Sequence, residues 1–159
     1  MQIRIITVGK LKEKYWSQAV GEYLKRLRPY AKTEIIEIDE ERTPERPSPA
    51  EIRQALAKEG ERIRRHLPPS CFVIPLAQEG TMLSSEELAA FLEKLAITGK
   101  SQATFIIGGS YGLSPEIKNS GDFLLSFSPL TFPHQMMRVF LLEQLYRSYK
   151  IMKGEPYHK

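Results

Sequence analysis

Hydrophobic and polar positions along this chain switch repeatedly between two periods. Residues 3–9 (IRIITVG) form a short apolar run closed by Gly9, the pattern of a buried strand. Tyr15, Trp16, Ala19, Val20, Tyr23, Leu24 and Leu27 then recur at helical spacing. Lys25, Arg26 and Arg28 lie at the end of that helix, where cations complement its dipole. Residues 33–40 (TEIIEIDE) read as a strand, and the proline-rich, charged residues 41–49 as a loop. A helix follows from Ala50 to Leu67. Residues 71–78 (CFVIPLAQ) are apolar almost without a break, as in a strand covered on both faces. Ser84 and Glu87 match a capping box that opens a helix through Leu95.

Two more strands are predicted at residues 103–109 and 123–128, with a short helical turn at 114–119 between them. A closing helix runs from Gln135 to Met152. The alternation predicts an α/β fold, a mainly parallel sheet with helices on both faces, built as a single domain over residues 1–159. On the last helix Met137, Leu141, Leu142, Leu145, Tyr149 and Met152 share a broad apolar face that Val139, Phe140 and Tyr146 widen. Such a helix is either central in the fold or buries a second face against another chain.

Composition narrows the class. At 159 residues, 42% hydrophobic and 26% charged, the chain suits one well-buried domain. A net charge of +4 is compatible with a polyanionic partner without requiring one. Cys71 is the only cysteine, so no intrachain disulfide forms, and its place in an apolar run predicts a buried thiol. His66, His134 and His158 lack metal-ligand spacing, and no metal is expected. No signal peptide or membrane span is legible, which predicts a cytoplasmic protein.

Candidate chemistry lies in two loops that follow strands. Gly108-Gly109-Ser110-Tyr111-Gly112 places backbone N–H groups where a ligand can approach, yet matches neither a dinucleotide fingerprint nor a P-loop. Ser128-Pro129-Leu130-Thr131-Phe132-Pro133-His134 is stiffened by two prolines and carries apolar side chains, which suits a flat heteroaromatic ligand. Loops at the carboxyl ends of parallel strands are where open α/β sheets bind ligands. His134 is expected to cap or anchor the last helix. Glu37, Asp39, Glu40 and Glu41 are expected to face solvent.

Together the blocks GGSYGLS, SPLTFPHQxxRVxLxEQLYR and the terminal PYHK resemble the bacterial large-subunit (23S) ribosomal RNA pseudouridine-N3 methyltransferases of the SPOUT class. The resemblance spans the whole chain. It implies a C-terminal deep trefoil knot, in which the last segment threads a preceding loop, and S-adenosylmethionine as cofactor. Matched motif by motif, the cofactor contacts are Leu76, Gly108, Phe127, Ser128, Pro129, Leu130, Thr131 and Phe132. It also implies a homodimer acting on 23S rRNA within the ribosome. Of the cations and proton carriers this leaves, Arg147, Tyr157 and His158 are assigned to the chemistry, and Arg138, Arg147 and Lys159 to the RNA. A SPOUT enzyme for another RNA site, including a ribose 2′-hydroxyl, and a non-catalytic ribosome-binding factor are the alternatives.

Overall fold

A computed structural model describes residues 1–159. Ten elements follow one another: β1 (Gln2–Val8), α1 (Lys14–Leu27), β2 (Lys32–Ile38), α2 (Pro49–Arg65), β3 (Phe72–Met82), α3 (Ser85–Ile97), β4 (Gln102–Ile107), α4 (Pro115–Ser120), β5 (Leu125–Ser126) and α5 (His134–Met152). The five strands pair in the order β2-β1-β4-β3-β5, every ladder parallel. The carboxyl ends of the strands, and the loops that leave them, therefore lie at one edge of the sheet.

The near-continuous apolar runs divide between two cores. Ile3 and Ile5 of β1 with Ala103, Phe105 and Ile107 of β4 join the larger core, which also holds residues of α1, α3 and α5. Ile6, Val8 and Ile106 point the other way, against Ile63 of α2 and Ile117 of α4. A period of two inside a run with no polar break is what a sheet covered on both faces requires. Leu141, Leu142 and Leu145 on α5 are fully buried. Each contributes about 1.5–3 kcal/mol by leaving water. Helix α5 packs on both α1 and α3, so it is central in the fold. No helix is long and apolar enough to cross a membrane.

Capping boxes open two helices. In α3, Ser84 Oγ accepts from the Glu87 amide at 3.1 Å while Glu87 accepts from the Ser84 amide at 2.7 Å, as the sequence pattern predicts. The same device stands at Ser48 and Glu51, where Pro49 ends the charged loop by starting α2.

Two strands differ from the sequence reading. β3 continues to Met82, and β5 shrinks to Leu125–Ser126 instead of spanning 123–128. The apolar stretch FLLSF reports side-chain burial: Phe123, Leu125 and Phe127 all pack on the larger core. A ladder also needs a regular neighbour, and the register of β3 against β5 shifts between Leu76 and Thr81. The flanking backbone bonds outside the ladder instead. The Asp122 amide donates to the Val73 carbonyl at 2.8 Å and the Thr81 amide to the Leu124 carbonyl at 2.8 Å. Gly80 permits that close pass, because a Cβ there would stand 2.7 Å from the Leu124 oxygen.

Candidate active site

The second half of β3 and the loops leaving β4 and β5 line a cavity of about 720 Å³. Six of the eight positions assigned to the cofactor line it: Leu76, Gly108, Phe127, Leu130, Thr131 and Phe132. Ser128 and Pro129 are not among its lining residues, although Ser128 shapes the loop. Its hydroxyl accepts from the Leu130 amide at 3.0 Å, a local turn bond. Gln78 donates to the Thr131 hydroxyl at 2.5 Å and ties β3 to the loop after β5.

The glycine loop is tight for a geometric reason. A Cβ on Gly108 would collide with the Gly112 backbone, and Gly112 itself has a φ of +76°. The loop is held from outside by Glu40, whose carboxylate accepts from the Ser110 amide at 2.9 Å. Burial opposes the Glu40 charge, but the Ser110 hydrogen bonds outweigh it and hold the carboxyl below its usual range. His134 opens α5, lines the same cavity and packs beside Gly9. Burial is the main influence on its imidazole and lowers its pKa, so the ring is neutral near pH 7.

The acidic residues 37–41 do not simply face solvent. Glu37 accepts from the Arg138 guanidinium at 2.6 Å and from the Leu11 amide at 3.0 Å, Glu40 secures the glycine loop, and Glu41 pairs with Arg62 at 2.5 Å. Arg138 calls for a correction too. Only 1% of it is exposed, and besides Glu37 it donates to the Gly9 carbonyl at 2.5 Å. A side chain so placed cannot meet an RNA phosphate. It ties α5 to the loop after β1. Cys71 is half-buried rather than enclosed.

The terminal residues dock instead of fraying. The Tyr157 ring packs edge-on against Tyr146 at 4.8 Å, with the Arg147 guanidinium 4.7 Å from the Tyr157 centroid. Tyr157 donates to Glu143 at 3.0 Å, and Arg147 donates to the same oxygen. His158 lies between Glu86, 2.7 Å from Nε2, and Arg147, 3.2 Å from Nδ1. An arginine can only donate, so Nδ1 accepts and Nε2 carries the proton toward Glu86. Burial first, then hydrogen bonds to Tyr23 and Glu143, raise the Tyr157 pKa, which keeps it a phenol. Lys159 is exposed.

A second cavity, about 420 Å³, connects these parts of the molecule. Phe127 and Phe132 line it as they line the first, and Glu143, the anchor of Arg147 and Tyr157, lines its other side. Glu86 and Glu143, which hold the tail, had no assigned role in the sequence reading. The i, i+4 spacing of Glu143 and Arg147 on a helix was the available signal. No three His, Cys, Asp or Glu side chains gather as metal ligands.

Comparison with known proteins fits this arrangement. The family described as "Predicted SPOUT methyltransferase" matches residues 1–158. A protein of Carboxydothermus hydrogenoformans named ribosomal RNA large subunit methyltransferase H is 54% identical over 159 residues, the full length of both chains. One of the same name from Bifidobacterium adolescentis is 57% identical, again over both full lengths. Among solved structures, a "Probable Methyltransferase" from Bordetella pertussis Tohama I superposes with a TM-score of 0.56 at 14% identity. That match covers 92% of this chain and 95% of that one, and it speaks for the fold alone. The chain belongs to the SPOUT methyltransferase family, and it is a methyltransferase.

Proposed function

We propose that this protein transfers the methyl group of S-adenosylmethionine to N3 of a pseudouridine in 23S ribosomal RNA. The observation that carries the reading is the convergence of β3 and the loops after β4 and β5 on one cavity, in a chain that matches rRNA methyltransferases along its whole length. The lining suits the cofactor. Leu130, Phe127 and Phe132 offer apolar surface to adenine, and the bare backbone of the glycine loop offers hydrogen bonds to its edges.

S-adenosylmethionine supplies a methyl already electrophilic at its sulfonium, so the protein's tasks are alignment and preparation of the nucleophile. The imide N3 keeps its proton at neutral pH. As the N3–CH3 bond forms and the S–CH3 bond breaks, that proton must leave, and negative charge develops on the flanking carbonyls. His158 takes the proton at Nδ1 once Arg147 turns from it to the substrate, while Glu86 holds the other ring nitrogen. Arg147 and the Tyr157 phenol then stabilise the developing anion as donors. Arg147 and Lys159 serve the RNA phosphates; Arg138 does not.

The same reading includes the trefoil knot. It is supported by the return of residues 122–125 onto β3 and by the close pass at Gly80. It also includes a homodimer, supported by the exposed apolar side chains Met82, Leu130 and Phe140, and a single domain working in the cytoplasm, where its substrate is. With a net charge of only +4, non-specific RNA affinity is weak, so a preformed ribosomal surface is the substrate.

The test is transfer of labelled methyl from S-adenosylmethionine to ribosomes lacking the modification, with the product nucleotide mapped by mass spectrometry. Label on a base nitrogen of a pseudouridine is expected; label on a ribose or on another base would overturn the assignment. Removing Tyr157–Lys159 should abolish transfer while cofactor affinity survives, and normal turnover of the truncated enzyme would refute the role of the tail.

A further inference from the structure

The large cavity is lined by backbone, apolar side chains and very few charges. Apart from His134, neutral near pH 7, its charged lining residues are Glu79 of β3 and Lys118 of α4. They face each other as an ion pair at 2.6 Å. Lys118, ahead of a bond within its own backbone, holds the Glu79 carboxyl below its usual range. The side chain of Glu79 is 57% exposed and that of Lys118 26%, so the pair stands where the cavity opens to solvent. The two elements that bear them are fixed independently of the pair. Asp122, just beyond α4, exchanges two hydrogen bonds with the Val73 backbone of β3.

From this placement we infer that Glu79 and Lys118 form the subsite for the amino-acid end of the cofactor, Glu79 taking its α-ammonium group and Lys118 its α-carboxylate. The inference rests on the reading that S-adenosylmethionine occupies this cavity, and it deepens that reading. An adenosine moiety needs apolar walls and neutral donors and acceptors, which the other lining residues supply. An amino-acid end carries one cation and one anion about as far apart as two charged side chains can straddle, and the cavity holds one residue of each sign. In the empty cavity the two satisfy each other. Because a solvent-exposed ion pair is worth little, exchanging it for two pairs with the ligand is nearly balanced in charge and meets a small barrier.

The test compares three ligands by calorimetric titration: S-adenosylmethionine, S-adenosylhomocysteine, which keeps the amino-acid end but lacks the sulfonium charge, and methylthioadenosine, which lacks the amino-acid end. Glu79→Gln and Lys118→Met should each weaken the first two by about ten-fold and leave methylthioadenosine within about two-fold. Equal losses for all three ligands, or no loss for any, overturn the inference. A loss confined to S-adenosylmethionine also overturns it, because it would show Glu79 sensing the sulfonium. If the unaltered protein binds none of the three, the cofactor reading falls and the inference with it. The double exchange Glu79→Lys with Lys118→Glu separates recognition from a mere latch. It preserves the ion pair, so retained affinity for S-adenosylmethionine would identify a latch and overturn the inference, whereas a persistent ten-fold loss is expected. Both side chains sit at the cavity rim, and an unchanged thermal unfolding midpoint would verify that each variant folds.

Discussion

Helix α5 carries two arginines about two and a half turns apart that do opposite work. Arg138 is 1% exposed and spends its donors on Glu37 and the Gly9 carbonyl, both beyond the carboxyl ends of β1 and β2 or within them. The side chain of Arg147 is 24% exposed, and its partners, Glu143 and His158, are themselves near the surface. The same residue type on the same helix is fastened where it is walled in and accessible where water reaches it. A buried guanidinium is locked by the desolvation cost of losing its partner, whereas a half-exposed one can change partners at little cost.

The buried end is the more sensitive to substitution. Glu37→Ala leaves Arg138 charged and without its counter-ion, which should cost about 3–5 kcal/mol in denaturant unfolding. Arg138→Met should cost less, because Glu37 is 37% exposed and can rehydrate. Equal losses would mean that the pair is not the lock described. Glu59 sharpens the point, as a buried acid that is 5% exposed with one carboxyl oxygen unpartnered. Burial first, then the Glu40 charge, raises its pKa from 4.5 to about 7. Below pH 4.5 the group is neutral in both the folded and unfolded chain. Between there and pH 7 only the unfolded chain ionises, so stability falls with rising pH, by about 3 kcal/mol in all, and levels off above. Glu59→Gln should remove that slope, and a slope that persists would assign it to another group. At the exposed end, Arg147→Ala should lower methyl transfer about a hundred-fold. It should leave cofactor affinity unchanged and alter stability by less than about 1 kcal/mol. A large loss of stability would place Arg147 with Arg138 instead.

The two arginines also mark where the sequence was legible. The order of strands and helices could be read from apolar runs and their punctuation, and the Ser84 box from local chemistry. The cavity loops were visible because glycine and proline leave few other uses for such segments. Partners distant along the chain were not visible. Arg138 and Glu37 are 101 residues apart, and Glu40 and Ser110 are 70 apart. Arg138 did carry a signal. It falls on the stripe of Leu141, Leu142 and Leu145, and a charge inside an apolar stripe implies a buried counter-charge. The extent of β5 had no signal at all, since a buried apolar segment reads alike whether or not a ladder accompanies it.

β5 leaves one more mark on the life of the molecule. It covers the flank of β3, and the loop at 127–134 that follows it supplies part of the cavity wall, yet these residues are translated after nearly everything they cover. Domains fold as the chain emerges, at about 5–20 residues per second. Until residues 125–152 have emerged, the β3 edge lacks its neighbour and the larger core lacks α5. A message cut short before residue 123 would yield a product lacking both, with apolar surface left open and prone to aggregate. The fold thus closes only when its translation is almost finished.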